Sequence, residues 1–233
     1  MVNERQKAIL YAVIDEFIEN AVPVASSRIV DKYRFPYSTA TVRNDFLELD
    51  EHGYLYQPHT SAGRIPTDKG YRFYADAIFA SGEQPIRRQK MLTELTQVSE
   101  EEEFIRMAAR TVATLSHGVA CAGFLEGELF YKSGFAEVLD EPEFDNGKTR
   151  KNFAALVDDI DNLMAEMVDN EHSTFLRVFI GNENPLKQAR EYGMVVSSFA
   201  TPFHKNGIIS IIGPKRMDYQ NNMLLLRELQ TLW

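Results

Sequence analysis

Two adjacent side chains, Arg43 and Asn44, have the chemistry needed to read base edges in DNA. They lie in the segment STATVRNDFLELDE, residues 38–51. A guanidinium can donate two hydrogen bonds to guanine, and a side-chain amide can pair with adenine. Ser38 and Thr39 stand at the start of the same segment, where hydroxyl groups at the positive end of a helix suit a phosphate. These residue types at this spacing favour a helix that enters a major groove.

The apolar spacing of this segment predicts such a helix and sets its outer face. Three apolar side chains recur at helical spacing and predict the buried stripe: Val42, Phe46 and Leu49. Ser38 can cap the start of the helix, and Gly53 can end it. The side chains left on the outer face are then Ala40 and Asn44, with Thr41 and Arg43 on the flanks.

Two further helices are predicted before this segment. Residues 3–20 place apolar side chains at helical spacing, and Asn3 and Gln6 can form a reciprocal cap at the start. Pro23 interrupts the pattern, and Ser26 or Ser27 can cap a short second helix.

A β-hairpin is predicted after the third helix. Residues 54–57 alternate like a strand, residues 58–63 are rich in turn formers, and residues 64–66 can return as the partner strand. Three short helices followed by a hairpin predict a winged helix-turn-helix, whose third helix enters the major groove while the hairpin reaches an adjacent backbone or groove. The alternative to DNA binding is a small helical protein-interaction module, in which the polar face of the third helix is simply exposed to solvent.

The overall charge argues against a nucleic-acid partner, but its distribution does not. The 233 residues include 25 Lys and Arg against 34 Asp and Glu, a formal net charge of -9, whereas phosphate binding is driven by cations. Between residues 20 and 45, four basic side chains face two acidic ones: Arg28, Lys32, Arg34 and Arg43 against Asp31 and Asp45. Arg64, Lys69 and Arg72 follow soon after, so a locally basic surface on an acidic molecule is possible.

Composition excludes several other classes. The single cysteine, Cys121, excludes an internal disulfide framework and a multi-cysteine metal site, and indicates a reducing cytoplasm. No signal-like start and no run of about 18 apolar residues is present, so we expect a cytoplasmic protein. His117 and Cys121 are four residues apart but have no orienting carboxylate beside them, which favours a buried, inert cysteine. The other histidines lack metal-ligand spacing, so we expect neither metal nor cofactor and no enzyme.

The second half of the chain predicts helices over a small antiparallel sheet. Strand-like runs lie at residues 175–180, 195–196 and 207–213, and helical patterns lie at 84–117, 152–168 and 218–232. The stretch GPKRMDY could start a phosphate site, but a strand-to-helix turn explains it better. The predicted fold class is α+β.

Long stretches of the chain resemble the HrcA family of heat-inducible transcription repressors. The likeness runs from NERQKAIL through EHGYLYQPHTSAGRIPTDKGYRFYAD, and returns in FIGNENP, SSFATPF and GIISIIGPKRMDY. It implies a repressor of chaperone genes that binds an inverted-repeat operator as a homodimer, is released on heat stress and depends on chaperonin. It also implies a GAF-like C-terminal domain carrying an inserted dimerisation domain.

This chain departs from the family in its middle. Too few residues separate Ser116 from the family-like segment EVLDEPEF for an inserted domain, so the insert and several strands of the GAF-like sheet are expected to be missing. The expected domains are a winged helix over 1–76, a helical linker over 77–117 and a reduced GAF-like domain over 118–233. The dimer interface is then expected on the helical segment 84–117 or on the C-terminal sheet.

The sequence thus predicts one function and one set of DNA-binding residues. The residues are Arg28, Ser38, Thr39, Thr41, Arg43, Asn44, His59, Thr60, Ser61 and Arg64. The alternative function is a ligand-gated regulator with a small-molecule sensor in the C-terminal domain, and a small-molecule enzyme is a distant third.

Overall fold

The structure, a computed structural model, describes residues 2–82, 90–125, 127, 129–167 and 174–233. The chain divides into two compact units, Met1–Ser81 and Gly82–Trp233. The division therefore falls inside the segment 77–117 that the sequence predicts as a helical linker.

The first unit contains the predicted order of three helices and a hairpin, followed by a fourth helix. The elements are α1 (Glu4–Asn20), α2 (Ser26–Tyr33), α3 (Thr39–Glu51), β1 (Leu55–Tyr56), β2 (Ile65–Pro66) and α4 (Asp68–Ser81). Strands β1 and β2 pair antiparallel, with Leu55 opposite Pro66. Val24 adds an isolated antiparallel bridge to Arg64, so the chain before α2 is tied to the hairpin.

The helix starts follow the predicted capping in two of three cases. Asn3 and Gln6 form the reciprocal cap of α1, with the Gln6 N–H donating to the Asn3 Oδ1 at 2.9 Å. Ser38 caps α3 by accepting from the Thr41 N–H at 3.1 Å. The predicted serine cap of α2 is wrong, because α2 begins at Ser26 itself and no side chain caps it. Its place is set instead by packing, since Ile29 is fully buried.

The second unit is built on a five-stranded antiparallel sheet. Its helices and strands are α5 (Lys90–Glu94), α6 (Glu101–Ser116), β3 (Val119–Phe124), β4 (Phe130–Ser133), α7 (Phe135–Leu139), α8 (Gly147–Asp158), α9 (Ile160–Met167), β5 (Leu176–Ile180), β6 (Tyr192–Ala200), β7 (Asn206–Pro214) and α10 (Tyr219–Gln230). The strand order is β4-β3-β7-β6-β5. The α+β class predicted from the sequence is confirmed, as are its three predicted strands.

Both faces of this sheet are covered. One set of alternating strand residues joins side chains of α8 and α9 in a single core, which includes Cys121, Phe153, Leu163, Val196 and Ile208. The other set faces α6 and α10. On the α6 side, the ring centroids of Phe104 and of Phe199 in β6 lie 6.4 Å apart. Because residues of both sets are buried, the central strands show little polar alternation in sequence.

Three expectations for this half need correction. The helical pattern over 84–117 is interrupted, because α5 runs into a short 3-10 turn and α6 starts only at Glu101; residues 83–89 lie outside the described residues. Helix α6 packs on β3, β4 and β7, so it belongs to the sheet layer and not to a linker. The segment between Ser116 and EVLDEPEF, where no strand was predicted, forms β3 and β4, and β3 pairs with β7 over six residues.

Candidate nucleic-acid interface

The outer face of α3 forms an exposed stripe that we call the outer stripe: Ala40, Arg43, Asn44 and Leu47. The opposite face is buried, and its four buried residues are Val42, Asp45, Phe46 and Leu49. The structure therefore places Arg43 and Asn44 where the apolar spacing predicts them. Leu47, 49% exposed, continues the stripe one turn beyond Asn44. Leu47 is not among the predicted DNA-binding residues, which all carry polar or charged side chains, although the helical spacing from Asn44 places it on this stripe.

The start of α3 offers backbone N–H groups that the helix itself cannot pair. Ser38 takes one of them, that of Thr41, and its hydroxyl lies 2.9 Å from the Thr41 hydroxyl. Ser38 is exposed, while Thr39 and Thr41 are half-buried. Free N–H groups at the positive end of the helix dipole, with hydroxyls beside them, can hold a phosphate oxygen.

Three carboxylates of α3 have partners elsewhere in the first unit. Asp45 is 1% exposed and accepts two hydrogen bonds from Arg5, each 2.9 Å long. Glu48 accepts from the Gln6 amide at 2.5 Å, and Asp50 lies 3.1 Å from the guanidinium of Arg64. An acidic helix can therefore present a face without negative charge from residue 39 to residue 47.

Arg64, a predicted DNA-binding residue at the hairpin, is buried and not exposed to solvent. Its side chain is only 8% exposed and pairs with Asp50. Its backbone N–H and carbonyl each bond to Val24 at 2.9 Å. The neighbouring Gly63 is so close to Val24 that a Cβ there would lie 2.3 Å from the Val24 carbonyl oxygen. Arg64 fixes the hairpin to the body of the unit, and so it does not belong with the exposed candidates.

Arg28 is half exposed, but its guanidinium already forms an ion pair within the first unit. Its guanidinium lies 2.7 Å from the carboxylate of Glu16, which is 2% exposed and is also paired with Lys32. Burial raises the pKa of Glu16, but the hydrogen bonds from Lys32 and Arg28 outweigh burial and leave that pKa below its usual value. Of the basic residues predicted to form the local patch, Arg34, Arg43 and Lys69 make no ion pair with any residue that the structure describes.

The tip of the hairpin presents the remaining candidates to solvent. His59, Thr60 and Ser61 are all exposed. The Gln57 amide donates to the carbonyls of Thr60 at 3.1 Å and Ala62 at 2.8 Å, which holds the tip in one shape. The predicted residues thus fall into two exposed groups, at α3 and at the tip, with Arg28 and Arg64 engaged in ion pairs.

Other candidate chemistry in the chain has little support. Cys121 lies in β3 and is fully buried, and burial together with the nearby Asp161 raises its pKa to about 12, so its thiol is not a nucleophile at neutral pH. Across the described ranges, His, Cys, Asp and Glu side chains form no group of three able to hold a metal ion. None of the described helices is long and apolar enough to span a membrane.

GPKRMDY forms the predicted strand-to-helix turn, and within it Arg216 binds Glu143 at 2.6 Å.

Comparison with known proteins identifies relatives along most of the chain. The family described as "HrcA protein C terminal domain" matches residues 83–223. The heat-inducible transcription repressor HrcA of Thermoanaerobacter sp. (strain X514) is 27% identical over 320 aligned positions, covering 94% of this chain and 92% of that protein. The HrcA of Chloroflexus aurantiacus is 43% identical over 121 positions, covering 51% of this chain and 32% of that protein.

A solved structure supports the fold independently. A crystal structure described as that of a hypothetical protein superposes with a TM-score of 0.77 at 20% identity, covering 100% of this chain and 98% of that one. An alignment of 320 positions is longer than the 233 residues here, so the Thermoanaerobacter relative carries residues that this chain lacks. With the family match over residues 83–223, these relatives show that the chain belongs to the HrcA family of heat-inducible transcription repressors, as a shortened member.

Proposed function

We propose that this chain represses transcription of chaperone genes by placing α3 in the major groove of an inverted-repeat operator. The proposal rests on the outer stripe, on which Arg43 and Asn44 are exposed while the carboxylates of Asp45, Glu48 and Asp50 have partners within the first unit. Direct readout needs donors and acceptors that reach base edges without repelling phosphate. The exposed residues of the hairpin tip, His59, Thr60 and Ser61, would contact the adjacent backbone or minor groove as a wing does.

We further propose that the active form is a homodimer. Residues 1–81 contain nine basic and eleven acidic side chains, and five of the basic ones pair within the unit: Arg5, Arg28, Lys32, Arg64 and Arg72. One unit can therefore neutralise few phosphates, and affinity that depends on phosphate contacts is correspondingly low. Two copies bound to two half-sites would multiply affinity and discrimination.

Release on heating would follow from the stability of the folded repressor. We propose that chaperonin maintains the fraction of chains able to bind DNA, and that repression ends when heat draws chaperonin to other clients. The test is operator affinity after brief heating, with and without chaperonin and ATP. Chaperonin is expected to restore the active fraction, whereas equal recovery in both samples would show that this shortened chain has lost the dependence.

Selection from a random library of DNA duplexes tests the proposal directly. The recovered sequences are expected to contain two inverted half-sites, about one DNA turn or a multiple of it apart. Arg43→Ala and Asn44→Ala should lose preference at one base pair of each half-site, and Met91→Ala, a change at an exposed position of the second unit, serves as the control. Recovery of no common motif would contradict the proposal.

One pocket keeps the ligand-gated alternative open. In the second unit a pocket of about 300 Å³ is lined by Glu101, Glu102, Ile105, Phe124, Gly127, Leu129 and Lys205. Lys205 pairs with Glu101 at 2.5 Å, and the Tyr131 hydroxyl donates to Glu102, so both carboxylates already have partners within the protein. A rise in melting temperature with a small molecule, lost in Phe124→Ala, would favour this second function.

A further inference from the structure

The exposed leucine of the outer stripe is the feature of α3 that base pairing by Arg43 and Asn44 does not explain. Leu47 is 49% exposed, whereas the other three leucine or phenylalanine positions of the first unit's third helix and following strand, Phe46, Leu49 and Leu55, are 4% exposed or less. Single exposed apolar residues are common on protein surfaces. Leu47 differs because it lies on the same line of the helix surface as the two candidate base-reading side chains.

The position of Leu47 along the helix sets which base pair it can reach. It lies three residues beyond Asn44, which is about 4.5 Å along the helix axis. That advance exceeds the spacing of about 3.4 Å between successive base pairs. Leu47 would therefore face a base pair other than the one that Asn44 contacts.

The chemistry of the groove leaves one partner for such a side chain. In the major groove the edge of each base pair presents hydrogen-bond donors and acceptors, and only thymine adds an apolar group, its 5-methyl. Burying a polar edge against a leucine would leave that edge without a hydrogen bond, which is unfavourable. Contact with a methyl group removes apolar surface of both partners from water.

We propose that Leu47 is a specificity-determining residue that selects thymine at one position of each half-site through the thymine 5-methyl group. This inference rests on the proposed function, since it requires that α3 enters the major groove. It goes further by assigning one base and one atom of that base to a residue with no hydrogen-bonding side chain.

The test replaces thymine by uracil, which pairs identically and lacks only the methyl group. Each thymine of one selected half-site is replaced in turn, and binding of the full-length protein is measured by fluorescence anisotropy. The wild type is expected to lose about fourfold in affinity at one thymine, the effect of one methylene-sized apolar contact. Leu47→Ala should bind thymine and uracil duplexes equally at that position. Met91→Ala, loss of an apolar side chain at a 38% exposed position of the second unit, should keep the wild-type difference.

Three results are informative against the inference. If uracil at every thymine leaves wild-type affinity unchanged, or if Leu47→Ala retains the sensitivity, Leu47 does not read the methyl group, while the proposed function stands. If the wild type binds the selected duplex no better than a scrambled one, the proposed function falls and this inference with it. Thermal unfolding of Leu47→Ala is expected to match the wild type because the side chain is exposed, so a loss of binding through misfolding would be recognised.

Discussion

Arg43 and Arg64 are two arginines of the same unit that the sequence predicts to bind DNA, and the structure gives them different surroundings. Arg43 is exposed on α3 and makes no ion pair with a described residue, whereas Arg64 is buried beside Asp50. A guanidinium free in solvent can move its hydrogen bonds to a base, while one that holds a carboxylate in place is committed to the fold. We therefore expect substitution of Arg43 to change DNA binding and substitution of Arg64 to change the stability of the fold.

Arg43→Ala should weaken binding to the operator by about 1–3 kcal/mol and relax preference at one base pair. Its melting temperature should remain that of the wild type, because the side chain is exposed. Competition titrations with specific and random duplexes measure the effect. Equal losses on both kinds of DNA would mean that Arg43 contacts phosphate and not a base.

Arg64→Ala should instead lower the stability of the first unit. Removing the guanidinium leaves Asp50 without its partner and loosens the hairpin, at a cost of about 1–3 kcal/mol. Thermal unfolding followed by circular dichroism measures the change, and Arg64→Lys should recover part of it. A variant with wild-type stability and uniformly weak DNA binding would restore Arg64 as a phosphate contact.

At the scale of elements, the buried carboxylate of Glu16 joins α1 to α2. Arg28 and Lys32 of α2 both pair with it, and their hydrogen bonds lower its pKa despite its burial. A carboxyl whose pKa is lower in the folded state contributes stability that is fully present above its unfolded pKa, usually about 4.5. That contribution is lost as the pH falls below this value through the folded pKa.

Glu16→Gln should therefore be less stable than the wild type at neutral pH, and the difference should shrink as the pH falls below about 4.5. Urea unfolding at a series of pH values measures the free energy of unfolding of both proteins. Glu19→Gln is the matched control, because Glu19 also pairs with Lys32 but is 62% exposed. A gap between Glu16→Gln and wild type that is constant with pH would show that the loss comes from packing and not from the charge.

At the scale of the whole molecule, the acidic charge lies mainly in the second unit. Residues 82–233 carry sixteen basic and twenty-three acidic side chains, whereas the first unit is close to neutral. A net negative charge away from the proposed DNA-binding unit disfavours nonspecific association with DNA through that part of the chain. Both faces of the sheet are already covered within the second unit, so the proposed homodimer would use other surface, such as a sheet edge or the exposed face of α6.

We expect sedimentation equilibrium at micromolar concentration to give a mass of twice 26.6 kDa. On an inverted-repeat duplex, two copies should bind together, because each half-site alone offers few phosphate contacts. A clean monomer that also binds singly to the inverted repeat would contradict the dimer. High salt should weaken DNA binding in either case and so serves as the control for a phosphate-dependent complex.

The sequence by itself determined the parts of this protein that depend on local chemistry. Apolar periodicity in residues 3–20 and 38–51 predicted α1 and α3, and the side-chain caps Asn3 and Ser38 marked their starts. The same periodicity left Arg43 and Asn44 on the exposed face. These features follow from contacts between residues close in sequence, which is why the residues alone were sufficient.

Tertiary structure decided the features that depend on residues far apart in sequence. Asp50 and Glu16 take Arg64 and Arg28 out of the set of free cations, and composition does not show which acid meets which base. Strand β3 has the sequence VACAGF, which shows no polar alternation because helices cover both faces of the sheet at this strand. Burial of this kind is set by packing between elements, so only the folded chain showed that β3 lies inside the sheet. It also showed that, among the described residues of the predicted basic patch, Arg34, Arg43 and Lys69 make no ion pair.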